Sequence, residues 1–333
     1  MKNAATLVLT GIVFFSGLFL FAGEKTVWKK GDPLPTLNIP MPWPKLEEAE
    51  VAAKIIIDNE RFVYLYSVHN STRNYFPIYY FSIDIRKNPQ EHPFSSQDVT
   101  IAHSADEHAI KIVNGVRAEI LEVFSPDNWH PVIKAKPKGT ILQGAWSAGW
   151  AGGGWDMSSS LLLKPGRVAM GFSMLTRDPP SIREFLVDAD LNPNFDNGLL
   201  KVPLEKLDFY LNSPDFNAEI NKGVEFVGKT IAPVAPPEPF TISLWTARME
   251  TDSVEAKKIG WIKTDKNIAE IKKLISSLNT ENKVKLKTMV KRIETYILAE
   301  NKKGNLTDEA DALIRLNALY LLRRMEQEGK TGK

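Results

Sequence analysis

Two hydrophobic periods divide the chain. From Glu50 to about Val187 the apolar residues alternate in short strand-length runs, and from Ser253 onward they recur every third or fourth position. Val51–Ile57 is apolar and Asn59-Glu60 marks a turn; Arg61–Val68 (RFVYLYSV) then places Phe62, Tyr64 and Tyr66 on one face. Phe76–Ile85 resumes the alternation after the polar break Asn70–Asn74. Alternation rich in aromatic and β-branched residues between polar turns predicts neighbouring antiparallel strands. Further strands are expected at Asp98–Ala102, Ile110–Phe124, Thr140–Trp146, Arg167–Leu175 and Ile182–Val187, with Asn114-Gly115 as a two-residue hairpin turn. Strands at this spacing, without amphipathic helices between them, predict an all-β, immunoglobulin-like β-sandwich. Leu199–Leu211 and Asn217–Phe226 fit either strand or helix, while Phe240–Thr246 reads as a last strand.

The helical period predicts three helices in a small bundle. Lys266–Leu278 aligns Ile268, Ile271, Leu274, Ile275 and Leu278 on one stripe. A second helix, capped by Thr280 and stopped at Gly304, aligns Leu286, Met289, Val290, Ile293 and Ile297. Thr307 opens a third, and Asp308 and Glu309 suit its positive N-terminal end. The expected organisation is thus a leader at 1–23, a Pro-rich lead-in at 24–48 and a β-sandwich at 49–230. A Pro-rich linker and strand at 231–252 would join it to a three-helix bundle at 253–330.

The leader follows from Met1-Lys2, an uncharged run from Ala4 to Ala22 centred on Val8–Phe21, and Glu24-Lys25 after it. This pattern reads as a secretory signal peptide, with an uncleaved N-terminal anchor as the alternative. An exported protein is expected: secreted, periplasmic or on the cell surface. No second apolar run reaches membrane length, so no span is expected in the mature chain. The chain has no cysteine, which removes disulfides, thiolate metal ligands and thiol nucleophiles together. Net charge is only +2, yet from Ser253 to Lys333 there are 18 Lys and Arg against 11 Asp and Glu. A basic helical module on an acidic body suits an anionic glycan, an envelope polymer or lipid headgroups; a plain solvated helix surface is the simpler reading.

Two segments suggest sites. Gly144–Trp155 (GAWSAGWAGGGW) interleaves tryptophans with glycines, and Trp146 and Trp150 are candidates to stack on sugar rings, against the reading of a glycine-rich turn leading to a core strand at Trp155. Asp188–Gly198 offers Asp188, Asp190, Asn192, Asn194 and Asp196 at alternate positions, as a structural Ca²⁺ would need. Pro193 and Leu199 depart from a full calcium loop, and a surface turn has the same composition. No other cofactor is indicated. His103 and His108 lie five apart, which does not put both imidazoles on one helical face. The chain has no G-x-S-x-G, phosphate loop or dinucleotide glycine pattern, and an exported chain is a poor nucleic-acid partner.

Lys258-Ile259-Gly260-Trp261-Ile262, Ile293–Lys303 (IETYILAENKK), Gly304-Asn305-Leu306-Thr307 and Ala312-Leu313-Ile314 carry a resemblance. On these residues Ser253–Met325 resembles the FIMAH-type helical domain of exported bacterial proteins. In the name-giving segment the aromatic is changed to Tyr296 and the histidine to Glu300, so a role of that histidine would be absent. The resemblance implies an exported accessory module rather than a reaction. The body is loosely similar to β-sandwich cassettes of exported bacterial proteins, through Asn70-Ser71, Pro77-Ile78-Tyr79, Lys164-Pro165-Gly166 and Met170-Gly171-Phe172-Ser173. The expectation is a non-enzymatic surface or periplasmic binding or interaction protein, with a glycan or another envelope protein as partner. The alternatives are a glycan-active hydrolase using a carboxylate pair and a structural component of an envelope assembly.

Overall fold

The computed structural model describes residues 46–331 apart from 75, 86–98, 104–108, 115–119, 127–128, 136–145, 153–161, 190–224 and 238. These residues belong to one compact unit, Ile39–Leu200 with Glu219–Lys333. Among the described residues eleven strands precede four helices. The strands are β1 (Ala49–Asp58), β2 (Arg61–Asn70), β3 (Ile78–Asp84), β4 (Val99–His103), β5 (Ala109–Asn114), β6 (Ile120–Phe124), β7 (Trp129–Ala135), β8 (Trp146–Gly152), β9 (Val168–Thr176), β10 (Pro180–Ala189) and β11 (Glu225–Pro233). They form two antiparallel sheets, six strands in the order β1-β2-β9-β6-β5-β4 and five in the order β11-β10-β3-β8-β7. The helices are α1 (Ile242–Lys258), α2 (Asp265–Ser276), α3 (Lys283–Lys302) and α4 (Asp308–Thr331).

Strand β2 shows the alternation read from the sequence: Phe62, Tyr64, Tyr66 and Val68 are buried and the residues between them are half-exposed. Asn59 turns the chain from β1 into β2 with φ of 55°, a left-handed conformation that asparagine tolerates. Rings from the two sheets meet in a dry layer. Phe172 of β9 lies 4.7 Å from Phe81, 5.0 Å from Trp129 and 5.6 Å from Trp150, centroid to centroid. Tyr66 of β2 lies 5.8 Å from Trp150, which stacks on Phe81 at 4.6 Å. Such offset and edge-on pairs add to the area that they bury. Thr230 Oγ1 also donates to the Val51 carbonyl at 2.7 Å, tying β11 to β1.

Several expectations are corrected. The Trp-Gly stretch is not a turn between Trp146 and Gly152: it is β8, paired on both sides with β3 and β7. Its glycine has a packing reason, since a Cβ on Gly149 would fall 2.6 Å from the Tyr80 hydroxyl. Of the strand expected at Thr140–Trp146, only Trp146 is among the described residues, where it opens β8. β7 escapes the alternation pattern because Pro131 interrupts it, and proline is tolerated there since β7 is an edge strand. β5 and β6 do pair, but Val113 faces Ile120, so the connection is longer than a two-residue Asn114-Gly115 turn.

The segment 231–252 is neither a free linker nor a strand at Phe240–Thr246. Ile231–Pro233 completes β11 against β10, and the Val234 amide donates to the Pro179 carbonyl at 3.0 Å. Helix α1 then starts at Ile242, where the Thr241 side chain accepts from the Leu244 amide. Trp245 and Met249, four apart, point the helix inward. The bundle thus has four helices rather than three, and α1 crosses the boundary expected at Ser253. The leader, the lead-in up to residue 45 and most of 190–230 lie outside the described residues.

Helices α1 and α4 pack on the sheets through a buried polar seam. Asn317 of α4 donates from Nδ2 to the Pro180 carbonyl at 2.8 Å and to the Leu313 carbonyl at 2.6 Å. Its own carbonyl accepts from Trp245 Nε1 at 3.1 Å. Arg248 donates to the Ala235 carbonyl at 3.3 Å, lies 3.8 Å from the Asp252 carboxylate and sits 4.8 Å over the Trp245 ring. Asp252 accepts from Ser181 at 2.9 Å. Burial lowers the pKa of Arg248 and raises that of Asp252, and their mutual attraction opposes both shifts. The seam predicts that Asn317→Ala, which strips the Pro180 carbonyl of its donor, lowers unfolding free energy by about 1–3 kcal/mol. Urea denaturation followed by circular dichroism measures this; an unchanged midpoint contradicts the seam.

Candidate functional site

The residues singled out from the sequence do not converge. Trp150 is fully buried between the sheets, and its indole N–H donates to the Phe124 carbonyl at 2.8 Å. A ring with both faces packed on Phe81, Tyr66 and Phe172 offers no platform to a sugar, so Trp150 is a core residue. Trp146 opens β8 opposite Ala135, and its side chain lies outside the described residues, as does all of Trp155. Asp188 sits in β10, paired with Tyr80 and Glu225. Asp190, Asn192, Asn194 and Asp196 lie outside the described residues. Among the described residues no group of three His, Asp or Glu side chains is placed to hold a metal ion. His69, His103 and His130 are on strands β2, β4 and β7; His92 and His108 lie outside the described residues.

The charge surplus, in contrast, has a definite place. Helices α2 and α3 form a hairpin whose inner stripes are Ile271, Leu274 and Ile275 on α2 and Leu286, Val290, Ile293 and Ile297 on α3. Burying those stripes turns the remaining positions outward. Between Lys263 and Arg292 the chain carries nine basic and three acidic residues. All nine cations (Lys263, Lys266, Lys272, Lys273, Lys283, Lys285, Lys287, Lys291 and Arg292) are exposed. Glu270 lies 3.9 Å from both Lys273 and Arg292, contacts too long and too exposed to neutralise either.

The lysines also stand where a helix disfavours them. Thr264 caps α2 by accepting from the Asn267 amide, and Asp265 follows in its first turn. Asn282 caps α3 in the same way through the Lys285 amide, yet its first turn holds no acid. Lys283 and Lys285 face the positive end of the helix dipole, at a cost of about 0.3–1 kcal/mol each.

The far end of the hairpin is fixed by Glu300. Its carboxylate is nearly buried and takes three donors: Lys303 Nζ at 2.6 Å, Asn267 Nδ2 at 2.7 Å and Asn305 Nδ2 at 2.8 Å. Asn267 also reaches the Tyr296 hydroxyl at 3.1 Å, so α2, α3 and the loop after Gly304 are tied at one point. The hydrogen bond from Lys303, then those from Asn305 and Asn267, pull the Glu300 pKa down from 4.5 to about 2. Gly304 ends α3 with φ of 73°, and Asn305 N returns to the Glu300 carbonyl at 3.0 Å. Ile262 bridges Leu306 alongside. The Glu300 network is therefore structural and self-contained, and its distant partner Asn267 carries no sequence signal. No family model, no curated protein and no solved structure matches the chain.

A carboxylate with a depressed pKa stabilises the fold fully above its unfolded pKa and progressively less as pH falls through the folded one. Glu300→Gln should thus cost about 1–3 kcal/mol at neutral pH. The difference from the parent chain should shrink as pH falls from 4.5 towards about 2. Denaturation midpoints of both chains across that range check this; a constant difference contradicts it.

Proposed function

We propose that the protein is an exported, non-enzymatic binding protein of the cell envelope, and that it engages an envelope polyanion through the α2–α3 hairpin. One observation carries this reading: eight exposed cations on two adjoining helices and a ninth, Lys263, just ahead of them, with two of the eight set against the helix dipole. Export rests on the uncharged apolar run before Glu24. The resemblance of Ser253–Met325 to the FIMAH-type domain supports an accessory binding module. Among the described residues no helix is long and apolar enough to cross a membrane.

In this reading the body is an immunoglobulin-like β-sandwich that carries the hairpin. The rings packed between the two sheets support the sandwich. The orders β1-β2-β9 and β11-β10-β3 support the immunoglobulin-like kind, since they repeat its A-B-E and G-F-C adjacency. The insertion of β4 to β8 between the third and ninth strands is a departure from its usual seven.

Reversing four charges, Lys283→Glu with Lys285→Glu, Lys287→Glu and Lys291→Glu, should weaken retention on an immobilised sulfated polysaccharide by roughly tenfold or more. Reversing Lys54 and Lys164, exposed on the sheet side, should change it little. Retention should also vanish when salt shortens the Debye length to about 3 Å. Equal retention of the four-charge variant and the parent removes the reading.

A further inference from the structure

The solvent face of α3 narrows the polyanion. With Leu286, Val290, Ile293 and Ile297 inward, the 3.6-residue period brings Val284, Lys291, Leu298 and Lys302 onto the opposite side. Val284 is 79% exposed and Leu298 47% exposed, at the two ends of a stripe about 21 Å long. Thr288 and Thr295 lie between them, and both hydroxyls turn back to donate to helix carbonyls, of Val284 at 3.0 Å and Lys291 at 2.9 Å. No acid falls on the stripe. Glu294, at its flank, is half-buried and electrostatically coupled to Arg315.

A soluble polyanion has no use for exposed aliphatic side chains among the cations, and a sugar polymer is read by free hydroxyl or amide groups that this stripe lacks. A bilayer surface matches both features. Aliphatic side chains enter the boundary between headgroups and acyl chains, while lysines extend their heads to the phosphates. Resting on the polyanion reading above, we infer that α3 lies on an anionic phospholipid surface with Val284 and Leu298 against the lipid. The occupant is chosen by charge complementarity and by the aliphatic residues within the charged stripe; it is not a protein partner and not a free glycan.

Co-sedimentation of the full chain with vesicles of phosphatidylglycerol and phosphatidylcholine tests the inference, beside vesicles of phosphatidylcholine alone and a soluble sulfated polysaccharide. Binding is expected to the anionic vesicles and to the polysaccharide, and not to the neutral vesicles. The double variant Val284→Ser, Leu298→Ser changes only exposed side chains, so it should keep the fold and the polysaccharide affinity. It should lose roughly tenfold in affinity for anionic vesicles, as two aliphatic side chains no longer leave water. Because the chain has no cysteine, Thr288→Cys accepts a single environment-sensitive dye. Its emission should shift to the blue with anionic vesicles and not with the polysaccharide. Polysaccharide binding with no vesicle binding, or with a double variant equal to the parent on vesicles, overturns the lipid assignment and leaves the polyanion reading standing. Binding to neither removes both.

Discussion

The buried face of one strand joins the two sheets to the helices. Phe62, Tyr64 and Tyr66 of β2 form a continuous row of rings, 6.4 Å apart at each step. At one end Tyr66 meets Trp150 and the layer between the sheets. At the other Phe62 meets Tyr320 of α4, which packs 4.9 Å from Trp245 of α1. Tyr64, between them, donates its hydroxyl to the Asp178 carbonyl at 2.8 Å, and burial raises its pKa well above 10.0. Large aromatic rings bury much area with few torsions to freeze, so one strand can tie both sheets to the helices without a disulfide.

That tie decides what the helices can present. α1 and α4 use their inner faces on the sheets, through Trp245, Arg248 and Asn317. α2 and α3 pack their apolar stripes within the bundle and leave their charged sides to solvent. The Arg248 and Asp252 pair gains little from its charges under such burial, so what it contributes is a defined docking position for α1 rather than stability. Glu300 plays the same part for α2 and α3, pinning three segments with one carboxylate.

What the sequence made legible follows the physics of each signal. β2, β9 and the stripes of α2 and α3 stand out because their burial is one-sided, so period and packing coincide. β8 was hidden because Gly149 looks like a turn residue until Tyr80 is seen to fill its side-chain space. β7 was hidden by Pro131, and α1 by the prolines just before its cap. Trp150 suggests a ligand platform for the same reason that it belongs in the core: its large ring contributes most where water is absent. The cationic hairpin was legible as a charge surplus, but not as a surface, because which lysines face outward depends on how α2 and α3 pack.

The central claim is that this hairpin, and no part of the sheets, meets the partner. Lysine acetylation footprinting with and without anionic vesicles addresses it directly. The account predicts strong protection of Lys283, Lys287 and Lys291, with Lys54, Lys164 and Lys229 reacting equally in both states. Protection of the sheet lysines in place of the hairpin, or none at any lysine under binding conditions, contradicts it.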